Sequence, residues 1–460
     1  MTERKRVDTS LLSKKVSRRE MLRLSALGIG GAFLAACAAP AAAPQAQTAA
    51  EAAPAQPAVE KSQVIFWGHD QHPIDLAAEG FVQKFPDIEW VSPHPADREQ
   101  KLVAALAAGS GCPDLFWAEA TSAQDWGCND LLVDLTDVLK PQLDNYHPLK
   151  VSETFIQKTG KYVGWPGDIS VSGWYYRQDK LDEAGYSSVN FDTWTWEDFY
   201  AMSADLASKG MYTFVFPADG WSALYMFALH QLGGTAVSQD GQQVTIGSPQ
   251  GMEAMQIVKN LWDSGGGLDV AWWSAPYWAA LKDGEIIGDF AAAWARGFWE
   301  AQLVEAGEEA SGNWRIAKFP GGSNIKYRTG VWGGAQLISP KCGENTANAI
   351  TFMQYALGSI DGANRSGQWG IIPAYRPYLK SEEFLGMRSP VFGDWAFNEF
   401  WAGQEKELST EFFRPAGWGA VNDAIGKEMV PILTGEMTVE DGMNRIIEIA
   451  TPDFDRTKCV

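Results

Sequence analysis

The feature that most constrains this 460-residue chain is an alternation of short apolar runs with amphipathic ones that begins at residue 64. Val64-Ile65-Phe66-Trp67 reads as a strand closing on Gly68-His69-Asp70, and Leu76–Phe85 as a helix with Phe81, Val82 and Phe85 on one face. Asp87–Val91 is the next strand, Lys101–Ala108 the next helix, and Asp114-Leu115-Phe116-Trp117 a third strand after Gly111 and Pro113. This order predicts an α/β fold with a mostly parallel, layered sheet. Ligands of such sheets gather at the carboxyl ends of strands, where Asp70, Trp117 and Glu119 fall.

A chain of this length can bury a large core and is expected to divide into two lobes. Its composition is globular, with 46% apolar and 20% charged residues, but 21 Trp and 46 Gly stand out. A Trp is first of all a core residue, and about three in four are expected to pack there. The remainder should line a surface that binds something.

The start of the chain has a different character. Ser17-Arg18-Arg19-Glu20-Met21-Leu22-Arg23 precedes a weakly apolar run, Leu24–Ala36, that ends Leu34-Ala35-Ala36-Cys37. So short a run reads as an export signal rather than a span. The paired arginines resemble a twin-arginine signal, and the small residues before Cys37 resemble a lipobox, which implies cleavage there and a diacylglycerol anchor on Cys37. Residues 38–61 are almost all Ala, Pro and Gln, a composition that builds no core and suits a tether. Eight of the 37 basic residues and three of the 57 acidic ones lie in the first 36 positions, so the rest carries 29 against 54, a net charge of −25. A nucleic-acid partner is excluded on that charge.

Further along, Lys161–Phe199 leaves a Gly/Pro bend at Gly164, Pro166 and Gly167 as a strand with Val171, Trp174 and Tyr176, turns helical over Arg177–Ala184, and restarts at Thr195, three residues before Asp198 in N-cap spacing. This segment resembles the family 1 extracellular solute-binding proteins, the maltodextrin-binding-protein-like receptors of bacterial carbohydrate importers. Lys161-Tyr162, Pro166, Tyr176-Arg177-Gln178, Ala184-Gly185 and Thr193-Trp194 follow the family's order, with Arg-Gln in place of its Asn-Lys. The likeness continues through Gly111-Cys112-Pro113-Asp114, Leu131–Asp137, Gly284-Glu285, Gly330–Gly334, Asn345–Leu357, Gly370–Pro373 and Arg414–Trp418. It covers roughly residues 62–450 in unbroken order.

The resemblance implies two lobes of the periplasmic-binding-protein type, each a mostly parallel sheet flanked by helices, joined by a hinge crossed near Pro166, Lys326–Trp332 and Pro373. Residues 62–167 with 330–373 would form lobe 1, and 168–329 with 374–460 lobe 2, after a signal over 1–36 and a lipidated tether over 37–61. It also implies a ligand cleft lined by Asp70, Trp117, Glu119, Asp168, Trp221, Tyr225, Trp294, Arg296, Trp332 and Trp418. Asp168 fits a hinge cap as well as a contact. The implied partners are a sugar and the permease subunits of an ABC transporter, with a membrane reached through the lipid at Cys37. A monomer without cofactor or metal is expected, outside the cytoplasm.

The residue types suit that ligand. A sugar offers apolar C–H faces ringed by hydroxyls, so flat indoles with planar polar groups at their edges recognise it. Three indoles each covering about 100 Å² would supply roughly 2.5 kcal/mol apiece, near the ~8 kcal/mol of micromolar binding before ordering costs. The alternative is a secreted, lipid-anchored glycoside hydrolase, whose carboxylate pair is recognised only by distance in space. No Gly-x-Ser-x-Gly, His-Glu-x-x-His, P-loop or calcium-loop motif occurs. Cys112, Cys128, Cys342 and Cys459 allow three disulfide pairings outside the cell; proximity favours Cys112–Cys128, leaving Cys342–Cys459, and none has Cys-x-x-Cys spacing for zinc.

Overall fold

The computed structural model describes residues 62–69, 72–217, 222–304 and 312–459. The export segment, Cys37, the tether, Asp70 and Trp221 lie outside these residues. Two sheets organise the rest. The first contains β1 (Ser62–Trp67), β2 (Ile88–Val91), β3 (Leu115–Ala118), β4 (Gly164–Pro166) and β10 (Gln336–Ile338), in the order β2-β1-β3-β10-β4. The second is built on β5 (Ser172–Arg177), flanked by β8 (Gly288–Ala292) and β9 (Trp314–Ala317). Beside β8 lies the parallel pair β6 (Phe214–Val215) and β7 (Gly267–Leu268), joined to it where Tyr212 N donates to Glu285 O at 2.7 Å and Ile287 N to Tyr212 O at 2.8 Å.

The expectation of mostly parallel sheets is corrected by the strand directions. β1 is parallel to β2 and β3, each reached through a helix, Pro73–Lys84 or Arg98–Ala108. β10, however, runs antiparallel to β3 and β4, and β5 antiparallel to β8 and β9. The cause is connectivity: β10 and β5 are the strands by which the chain enters each lobe from the hinge. They run away from the hinge while their neighbours run toward it. β5 is hydrogen-bonded on both edges and all six of its residues are buried, so its apolar run shows none of the inside–outside alternation of a half-exposed strand.

Three chain segments cross between the sheets side by side. Asp168 N donates to Ala335 O at 3.1 Å, Ile169 N to Ile372 O at 3.0 Å, Ala374 N to Gly167 O at 2.6 Å, and Ser172 N to Gly330 O at 3.1 Å. The expected Asp168 cap is present: its carboxylate accepts from Ser170 N at 2.9 Å, from the Ser170 hydroxyl at 2.9 Å and from Ile372 N at 3.4 Å. That holds Ser170 at φ 52°, a conformation its side chain does not favour. Thr195 and Asp198 form a reciprocal capping box at the start of helix Trp196–Ser208.

Beyond the third crossing, helices Trp418–Glu428 and Val439–Thr457 pack on each other and on helices Ser222–Gln231 and Pro249–Ser264 beside the second sheet. Among the described residues no helix is long and apolar enough to cross a membrane.

The disulfides join Cys112 to Cys342 and Cys128 to Cys459, with Cα–Cα distances of 5.4 and 5.6 Å, which overturns the pairing Cys112–Cys128 with Cys342–Cys459. Register explains the first. Phe116 of β3 faces Ile338 of β10, and four residues outward along the two antiparallel strands Cys112 faces Cys342. Nearness in sequence carries no such information.

Candidate functional site

A cleft of about 520 Å³ opens where the two sheets meet the hinge, within the roughly 300–1,000 Å³ usual for ligand sites. Trp117 reaches it from the carboxyl end of β3, edge-on to His72 at 4.9 Å. A Cβ on Gly167 would stand 2.6 Å from the Trp117 ring and 2.5 Å from Ala335 O, so the hinge backbone lies against this indole only because residue 167 is Gly.

Residues of the second lobe and of segments next to the hinge crossings build an aromatic wall. Trp294 Nε1 donates to Trp332 O at 3.1 Å, with ring centroids 4.6 Å apart. Trp273 lies 5.7 Å from Trp294 and 5.1 Å from Phe298, and Phe298 lies 4.8 Å from Trp369. Trp273 adopts φ 63°, a strained value for a bulky residue, at the turn before the Ser274 cap of helix Ala275–Lys282. Trp418 stands at the start of its helix, with the Arg414 guanidinium 6.0 Å from its ring. Among the described residues six Trp line the cleft, whereas Trp165, Trp174, Trp299, Trp314 and Trp401 are fully buried.

Charge is concentrated at the base. Lys150 contacts Glu153 and donates to Gly334 O at 2.8 Å, and Arg414 Nε donates to Glu153 Oε1 at 2.6 Å. Burial alone would raise the Glu153 pKa, but Arg414 and Lys150 hold it below the usual carboxylate range. Arg414 Nη2 is buried at the cleft without a hydrogen-bond partner among the described residues. Gly334, at φ 99°, makes room for both cations: a Cβ there would stand 2.5 Å from Lys150 Nζ and 2.9 Å from Arg414 Nη2. Glu119 is open to the cleft, and the surrounding protein raises its pKa against the opposing pull of Arg414 and Lys150. An unpartnered guanidinium N–H near a carboxylate matches neighbouring hydroxyls, one accepting and one donating.

Of the residues singled out in the sequence, Trp117, Glu119, Asp168, Trp294, Trp332 and Trp418 line this cleft. Tyr225 and Arg296 do not. Tyr225 is fully buried in the core, while Ser222 and Met226 of the same helix face the cleft instead. Arg296 is buried among backbone acceptors, with Nη2 donating to Gly367 O at 2.9 Å and Gln368 O at 2.8 Å and Nη1 to Glu300 at 2.7 Å. Sequence reasoning missed Trp273, Phe298, Trp369, Arg414 and Asn422 as lining residues. The Trp272-Trp273 pair just before a Ser cap was the available signal for the first.

Two α/β lobes joined by three crossings around an aromatic-walled cleft define a two-lobed solute receptor. The chain belongs to the bacterial extracellular solute-binding proteins, whose family model matches residues 77–384. It is 23% identical over 309 residues to an arabinooligosaccharide-binding protein of Halalkalibacterium halodurans, covering 64% of this chain and 67% of that one. It is 25% identical over 346 residues to a lactose-binding protein of Rhizobium radiobacter, covering 69% and 77%. Among solved structures, the ABC transporter-associated binding protein of B. animalis subsp. lactis, in complex with β-1,6-galactobiose, superposes with a TM-score of 0.72 at 21% identity, over 86% of this chain and 98% of that one.

Proposed function

We propose that this protein is the substrate-binding component of an ABC importer, taking a neutral saccharide of two or more rings between its lobes and presenting it to permease subunits. The observation that carries the reading is the cleft itself: indoles from both lobes line it together with a buried Arg414, whose Nη2 has no hydrogen-bond partner among the described residues. Ligand bridging the lobes biases the hinge toward the closed form, the state a permease would read. The protein captures and releases its ligand chemically unchanged. It works as a monomer, outside the cytoplasm, held to the membrane by diacylglycerol on Cys37 after twin-arginine export. Its relatives named for arabinooligosaccharide and lactose binding support the oligosaccharide class.

A thermal-shift screen of neutral mono- and oligosaccharides, polyols and glycerol phosphates, with product analysis of every well, tests this. A ligand at 100 times its Kd adds about 2.7 kcal/mol to the native state. A raised melting temperature with an oligosaccharide recovered intact is the expected result. Consumption of the saccharide would make the protein a carbohydrate-active enzyme instead.

A further inference from the structure

We infer that the Cys128–Cys459 disulfide is a fourth, redox-sensitive connection between the lobes, and that it limits how far the cleft opens. Cys128 ends helix Ala120–Cys128, which packs against helix Pro148–Thr154 and β10 beside the first sheet. Cys459 lies two residues past helix Val439–Thr457, which packs on helices Trp418–Glu428 and Pro249–Ser264 beside the second. The bond thus leaves one lobe's helix and ends on the other's, whereas Cys112–Cys342 joins two neighbouring strands at one end of the first sheet.

Cys459 also docks against the first lobe's small core around Leu102, Phe116 and Ile156. A disulfide holds its Cα atoms within about 7 Å. Only Lys458 lies between Cys459 and the end of the helix, a leash of roughly 7 Å when extended. Weaker contacts share that flank: Gly417 N donates to Asp125 Oδ1 at 3.0 Å and Gln157 Nε2 to Gln239 O at 3.0 Å. These part when the lobes swing, but the covalent link does not. The three hinge crossings set the axis of motion, and a covalent leash beside them sets its end-stop.

Both cysteines are half-buried, within reach of a small dithiol. One dithiol thiolate attacks a sulfur of the pair to give a mixed disulfide, and the second displaces the remaining protein thiolate. Two protein thiols form, the dithiol becomes a cyclic disulfide, and two electrons have passed to the protein.

The inference rests on the lobes moving about the hinge and not on the ligand's identity. Single-molecule energy transfer between dyes on azido side chains placed at exposed Val103 and exposed Gln256 reads the interlobe distance in the full chain without ligand. The oxidised protein is expected to show one narrow distribution. The double variant C128S/C459S, and the C112S/C342S protein treated with dithiothreitol, in which only the cross-lobe bond remains to be reduced, should both broaden to larger separations. C112S/C342S without reductant should match the wild type. An unchanged distribution in dithiothreitol-treated C112S/C342S, which needs no second variant to fold, overturns the proposal. Absence of closure with every saccharide of the screen, in oxidised and reduced protein alike, would instead count against the receptor reading and leave the opening difference standing.

Discussion

Arg414 Nε donates to Glu153 Oε1 across 2.6 Å, tying the loop before helix Trp418–Glu428 to helix Pro148–Thr154, with both side chains almost closed off from water. Burial alone would lower the guanidinium's pKa, but Glu153 holds it above its ordinary value. The pair holds the guanidinium beside the cleft, with Nη2 buried next to Gly334. Arg414→Ala would leave Glu153 with Lys150 alone and strip the cleft of this donor. Removing one partner of a buried pair costs about 3–5 kcal/mol. Urea unfolding should show a loss of that size, and the saccharide found in the screen should bind at least about tenfold more weakly, the ~1.4 kcal/mol of one lost hydrogen bond to charge. Unchanged affinity would remove Arg414 from the recognition set.

Asp125 gives a pH dependence of known sign. Burial raises its carboxyl pKa to about 6 against the opposing hydrogen bond from Gly417 N–H. With an unfolded value near 3.9, the native state holds more protons than the unfolded one between about pH 4 and 6, so this group's contribution to stability falls as pH rises through that window and stays low above it. Asp125→Asn keeps an acceptor for Gly417 N–H and cannot ionise. Its melting temperature should exceed the wild type's at pH 7–8 and converge on it near pH 4. Parallel melting curves across that range would refute the assignment.

Legibility followed the range of the interactions. The strand–helix alternation up to Trp117 is local and matches β1 to β3 within a few residues. Strand direction depends on which segments enter from the hinge, so the antiparallel placements of β10 and β5 were invisible. The Cys112–Cys342 bond depends on the β3–β10 register, 230 residues apart. The error at Tyr225 has a different origin: all ten residues of helix Ser222–Gln231 are buried, so no polar stripe marks which side faces the cleft. At Trp273 and Trp369 the decisive property is the fold of a turn, which periodicity does not address.

Tyr225 and Arg296 therefore carry predictions opposite to those of ligand contacts. The Tyr225 hydroxyl is buried without a hydrogen-bond partner among the described residues. Tyr225→Phe removes that orphan and should leave stability equal or up to about 1 kcal/mol higher, with ligand affinity unchanged. Arg296→Ala should lower stability by about 2–3 kcal/mol, through the unpaired carbonyls of Gly367 and Gln368, and leave Kd where it was. Calorimetric titration of each folded variant with the same saccharide decides both cases.

Two tryptophans separate the cleft from the core most sharply. Trp294 is half-buried, its N–H held by Trp332 O and its ring on the wall, whereas Trp174 is fully buried in β5 with Nε1 donating to Thr213 O at 2.8 Å. If saccharide covers about 100 Å² of the Trp294 ring, Trp294→Ala loses roughly 2.5 kcal/mol of binding, a weakening of about 70-fold, for little loss of stability. Trp174→Ala opens a cavity in the core and should cost about 3–5 kcal/mol of unfolding free energy. Trp294→Phe, which keeps a flat face but loses the hydrogen bond to Trp332 O, should recover part of the affinity and so divide stacking from orientation. If Trp294→Ala melts like the core variant and binds like the wild type, the wall is a packing layer, and the saccharide must be held by the cleft's other indoles, Trp117 and Trp418 among them.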